Sequence, residues 1–92
     1  MAKVIWPDQA IDDLEQISAY IKRFDPTAAK EIRIRLVRLG QSLAELPNRG
    51  RPAFGGSREL TSVPPYVLRY VVENDSVVVV HIRHGRRRPV NR

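Results

Sequence analysis

His81, Arg83, His84, Arg86, Arg87 and Arg88 crowd positions 81–88 near the carboxyl end. A histidine that titrates near neutrality, set among guanidiniums, can drive phosphodiester cleavage without a metal: the imidazole moves the proton and the arginines hold the phosphate charge. Gly85 lets the chain bend sharply inside the cluster. Arg58 and Arg69, on neighbouring segments, can join it. The same residues equally suit a basic strand end that solvates itself or pairs with an acidic peptide, and residue types alone leave both readings open. Other chemistries find little support. His81 and His84 are the only histidines and cysteine is absent, so no metal site or thiol nucleophile is expected. No Gly-Lys-Ser/Thr phosphate loop occurs, and no cofactor is expected. Asp12, Asp13 and Glu15 read as acids matching the dipole of a helix start.

The elements that must position this cluster follow from periodicity. Lys3-Val4-Ile5-Trp6 is a short β-type run ended by Pro7, with Trp6 a core aromatic at the sheet edge. Ala10, Leu14, Ile17 and Ile21 recur at helical spacing, with Asp8 early and Lys22 late. Asp25-Pro26 then caps and starts a second helix. Its stripe is Ala29, Ile32, Leu36, Leu39, Leu43 and Leu46. Residues 8–46 therefore predict an antiparallel helical hairpin, in which Gly40 allows close helix approach. Residues 47–56 are turn formers and predict a loop.

Three β-type runs follow, at 57–62, 66–73 and 76–84, with Asn74-Asp75 as a two-residue hairpin turn. That turn sets Val72 opposite Val77 and Tyr70 opposite Val79. One face then carries Tyr66, Leu68, Tyr70, Val72, Val77 and Val79, and the helices bury it. The other carries Val67, Arg69, Val71, Val78, Val80, Ile82 and His84. Both helices are consumed by the first layer. The second face is either left as an apolar patch bordered by Arg69, Arg83 and Arg86, the composition of a partner site, or covered by the loop 47–56 and the carboxyl tail.

Charge and length bound the partner. The net charge is +6 on 92 residues, and the amino-terminal half balances to zero, so the excess lies entirely in the second half, as arginine. Arginine's planar fork suits phosphate or carboxylate. A chain this short forms one domain, 1–92, without room for a large cofactor fold. No run approaches the roughly 20 apolar residues of a membrane span, and a cytoplasmic location is expected.

The order strand, helical hairpin, Gly50-Arg51-Pro52 loop and three terminal strands resembles the ParE/RelE superfamily of type II toxin–antitoxin toxins over nearly the whole chain. The matching pieces are Ala10, Asp13-Leu14, Ile17 and Tyr20-Ile21; Ala28-Ala29; Leu46-Pro47; Arg58-Glu59-Leu60; Tyr66-Val67-Leu68 with Tyr70; and His84-Gly85-Arg86-Arg87. The resemblance implies an α+β fold, a two-helix antiparallel hairpin packed on a four-stranded, mainly antiparallel sheet. It also implies a growth-inhibiting toxin neutralised by a cognate antitoxin, which would cover the open face. RelE-like members cleave messenger RNA on the ribosome, without metal, using sheet lysines and arginines; ParE-like members poison DNA gyrase. Positions that carry nuclease lysines in the former read Ser57 and Glu59 here, and Val67 replaces an arginine. Arg87 alone matches a catalytic arginine, with His84 and Arg58 as the further nuclease candidates. The expectation is therefore a gyrase poison, with the endoribonuclease as the alternative and a non-toxic basic binding module as a third reading.

Overall fold

The computed structural model describes residues 1–85. Its elements are β1 (Lys3–Ile5), α1 (Asp8–Lys22), α2 (Pro26–Gln41), a 3-10 turn at Ser42–Ala44, β2 (Arg51–Pro52), β3 (Arg58–Leu60), β4 (Tyr66–Glu73) and β5 (Ser76–His84). Pro7, extended at φ −61°, ends β1 and opens α1, whose Ala10 and Leu14 are buried. At the next junction the Asp25 carboxylate accepts the Ala28 N–H at 3.0 Å and Pro26 takes the first turn. The two helices pack as the predicted hairpin, with Ala29, Leu36 and Leu39 buried. An Arg33–Glu15 ion pair at 2.7 Å spans their half-exposed flank. Hydrogen bonding from Arg33 lowers the Glu15 pKa.

The second stripe stops earlier than its spacing suggests. The switch to 3-10 geometry at Ser42 changes the turn from 3.6 to 3.0 residues. Leu43 still enters the core, whereas Leu46 is 61% exposed. Gly40 also has a different reason from the one expected. A β-carbon there would collide with Cζ2 of Trp6, so the close neighbour is the indole after β1 and not the facing helix.

Among the described residues the sheet has five strands where four were expected, ordered β1-β5-β4-β3-β2, with β1 parallel to β5 and the other pairs antiparallel. The added strand is the Arg51–Pro52 edge, paired with Glu59 and Arg58. Proline has no N–H to donate, so it is confined to such an edge. The Asn74-Asp75 turn sets Val72 opposite Val77 and Tyr70 opposite Val79, as the turn chemistry predicts. Further along, Arg69 pairs with His81 while Tyr70 pairs with Val79, which leaves Val80 as a bulge. The extra residue reverses the facing of everything beyond it. Ile82, expected on the outer face, lies opposite Leu68 in the core at 2% exposure. His84 follows it to Tyr66, with ring centroids 5.8 Å apart, edge to face. Val67 is also buried, at 6% exposure, and Gly85 lies against it with its N–H on the Pro65 carbonyl at 2.6 Å.

Candidate functional site

The outer face of the sheet holds two adjoining zones. The apolar zone is a row in register across three strands, Ile5 with Val78 with Val71, and the bulged Val80 beside it. Ile5 and Val80 are 38% and 40% exposed, and Val71 and Val78 are half-buried. With Val67 and Ile82 buried, the open patch is smaller than the sequence suggests and shifted toward β1.

The charged zone is built around Glu59 on β3. Arg51, Glu59 and Arg69 form a second cross-strand row. The Arg69 Nε and Nη2 donate to Glu59 Oε2 at 3.1 and 2.8 Å, Arg83 Nη2 donates to the same oxygen at 3.1 Å, and Arg51 stands 3.6 Å from Oε1. The Glu59, Arg69 and Arg83 side chains are only 7%, 18% and 13% exposed, whereas Arg51 is 67% exposed. Burial pushes the Glu59 carboxyl up, but hydrogen bonding from Arg69 and the charges of Arg83 and Arg69 outweigh it, and its pKa lies below the ordinary value. Glu59 is an ionised carboxylate that gathers cations from three strands.

Other candidates stand elsewhere. Arg58 turns away from the cluster and donates to the backbone carbonyls of Gly50 and Asn48 at 2.7 and 3.2 Å, pinning the loop before β2. It lies opposite Tyr70, four residues along β4 from the Tyr66 that faces His84. At about 3.4 Å per residue that is roughly 14 Å. The structure therefore does not bring Arg58 and His84 together. Arg86 and Arg87 lie outside the described residues.

Asp13, read from the sequence as a dipole-matching acid, does something else. Among the described residues β1 pairs with Ser76, Val77 and Val78, and no strand pairs with the rest of that edge of β5. The Asp13 carboxylate fills in, accepting the Ile82 N–H at 3.1 Å, the His81 Nδ1–H at 2.6 Å and the Gln9 side chain at 2.8 Å. One signal could have exposed it. Asp13 falls three residues after Ala10 and four before Ile17, on the apolar stripe and not on the polar flank. Glu59 had a comparable signal, since antiparallel pairing of β3 with β4 sets it against Arg69. Among the described residues no three His, Asp or Glu side chains converge as a metal site requires.

A helical hairpin covers one side of this mixed sheet, and the other side is an outer face with an apolar and a charged zone. A chain of the chromosomal ParDE TA system from P. aeruginosa has the same fold, with a TM-score of 0.83 and 24% identity over 91% of this chain and 96% of that one. The family model of the ParE toxin of type II toxin–antitoxin systems, parDE, matches residues 4–89, and the chain belongs to that family. "Toxin RelE2" of Caulobacter vibrioides is 48% identical over 87 residues, 95% of this chain and 99% of that relative. The chain is thus the toxin component of a type II system, a class in which an antitoxin is the partner.

Proposed function

We propose that this toxin acts by poisoning DNA gyrase and that its antitoxin neutralises it by covering the outer sheet face. The observation that carries the gyrase reading is the commitment of the sheet cations. Arg69 and Arg83 are bonded to Glu59, and Arg58 to loop carbonyls. Metal-free RNA cleavage needs preorganised donors aimed at the developing phosphate charge. Membership of the ParE family supports the same reading. The alternative, ribosome-dependent mRNA cleavage, draws on the RelE2 name of one relative and on Arg87. Supercoiling by gyrase and cleavage of ribosome-bound mRNA, assayed with one toxin preparation, separate the two. Inhibited supercoiling with intact mRNA is expected. Position-specific mRNA cuts that disappear in Arg87→Ala, with gyrase unaffected, would overturn the proposal.

For the antitoxin, the row of exposed Ile5 and Val80 with half-buried Val71 and Val78, beside Arg51, fits a segment that carries aliphatic and acidic residues. Val78→Asp is expected to weaken antitoxin binding at least tenfold in calorimetric titration while the toxin stays folded. Unchanged affinity would move the antitoxin to another surface.

A further inference from the structure

The turn between α1 and α2 exposes a cluster that neither the core nor the outer sheet face uses. Tyr20 and Phe24, four positions apart across the end of α1, lie edge to face with ring centroids 5.4 Å apart, and they are 60% and 70% exposed. Two large aromatic side chains left in water give up burial that a chain of 92 residues can little spare. The Arg23 guanidinium carbon stands 6.0 Å from the Tyr20 ring centroid and 5.7 Å from that of Phe24. Among the described residues the Arg23 side chain has these ring contacts and no carboxylate partner. The backbone beneath is fixed: the Phe24 and Asp25 N–H groups both donate to the Ile21 carbonyl at 2.9 Å, and Pro26 starts the next helix. The rings are held in one arrangement, so docking on them costs little ordering.

Aromatic rings with an arginine have the composition of an interface hot spot. The cluster suits a protein better than a nucleic acid. A phosphate track needs a run of cations, whereas Lys22 and Arg23 here stand beside the Asp25 carboxylate. Bases stack on open ring faces, and Arg23 stands over both rings. The edge of its guanidinium fork suits a carboxylate. Position separates the cluster from the antitoxin row. Tyr20 adjoins Tyr66, a core residue whose pKa is raised by burial and by Tyr20 nearby. Tyr66 lies five residues along β4 from Val71, roughly 17 Å at about 3.4 Å per residue, and on the helix side of the sheet.

We infer that Tyr20, Arg23 and Phe24 form the docking site for the toxin's target, a protein surface with an apolar pocket rimmed by acidic side chains. The inference rests on the gyrase reading for the identity of that protein, and the experiment separates the two.

Tyr20→Ala, Arg23→Glu and Phe24→Ala would be compared with the wild type and with Phe54→Ala, which truncates a comparably exposed phenylalanine at the opposite edge of the sheet. The readouts are growth arrest on induction without antitoxin, inhibition of gyrase supercoiling across a salt series, and antitoxin affinity by calorimetric titration. Each cluster variant is expected to lose growth arrest and to need about tenfold more protein for half-maximal inhibition, with antitoxin affinity within about threefold of the wild type. Arg23→Glu should also flatten the salt dependence of inhibition, because the attractive charge is gone. Phe54→Ala should match the wild type throughout. Full growth arrest by Phe24→Ala and Arg23→Glu would overturn the inference, and so would an equal loss in Phe54→Ala. Lost antitoxin affinity would overturn it by giving the cluster to the antitoxin. Weakened binding of a labelled DNA duplex with unchanged inhibition of gyrase would overturn the choice of a protein partner. A dimer in sedimentation that Phe24→Ala dissociates would give the cluster to a second copy instead. If Phe24→Ala does not fold by circular dichroism, Tyr20→Ala decides by the same readouts. A wild type that arrests growth while gyrase stays active would refute the gyrase reading alone, and arrest lost in the cluster variants would still support the docking site.

Discussion

Replacing Asp13 by alanine removes the acceptor that stands in for a missing strand along β5. The Ile82 N–H, buried and bonded to Asp13 at 3.1 Å, would lose its partner. An orphaned buried donor costs about 1–3 kcal/mol. The His81 contact at 2.6 Å is lost as well, but the imidazole is 42% exposed, so solvent screening holds its share to about 0.5–1 kcal/mol. Together these give about 2–4 kcal/mol, a large part of the roughly 5–15 kcal/mol that holds a domain folded. At about 4–8 °C per kcal/mol for a domain of this size, the midpoint should fall by about 8–30 °C. Asp13→Asn keeps a carbonyl oxygen for Ile82 and should lose only about 1 kcal/mol. Urea unfolding followed by Trp6 fluorescence gives the free energies, and amide exchange at Ile82 reports the bond itself. A loss below about 0.5 kcal/mol for alanine, or equal losses for both variants, would refute the edge-acceptor role.

Gly40→Ala should destabilise by about 1–2 kcal/mol despite alanine's better helix propensity, because its methyl meets the Trp6 indole; a shifted Trp6 emission maximum with a lower urea midpoint checks this. Tyr70→Phe strips the hydroxyl that accepts the buried Gly50 N–H at 2.9 Å, and about 1–3 kcal/mol should be lost in the same titration. The folded pKa of Glu59 lies below its unfolded value, so its contribution to stability is complete above the ordinary glutamate value of about 4.3 and disappears as pH falls through the folded value. Stability curves between about pH 6 and pH 2 should therefore be flatter in Glu59→Gln than in the wild type. Glu15, whose pKa is also lowered, is present in both proteins and cancels from that difference. Leu46→Ser, at an exposed position after the 3-10 turn, should change stability by less than about 0.5 kcal/mol in the same urea assay.

The helical hairpin is legible in the sequence because its information is local. Asp25-Pro26 announces a helix start whatever surrounds it, and the stripe from Ala29 to Leu39 repeats at the period of the helix that buries it. The β4–β5 turn is legible for the same reason, since Asn74 at φ 53° does what its type favours. The expected outer face fails where a single inserted residue matters. Nothing in Val77-Val78-Val79-Val80 marks which valine bulges, because all four suit a strand equally. Alternation alone therefore puts Ile82 and His84 on the wrong side.

Net charge, its confinement to the second half and the helix–strand order belong to the chain as written, because they depend on residue types and on neighbours a few positions apart. Which charges remain available does not. Arg69 and Arg83 are fourteen positions apart and look alike as letters, yet both end on the one carboxylate of Glu59. Only the pairing of β3 with β4, and β4 with β5, decides that. Asp13 shows the same division: its helical position is local, but its bond to Ile82 exists because β1 is too short to pair with the whole of β5. Contacts between residues distant in the chain depend on register and strand length, which arise when the sheet closes against the helices.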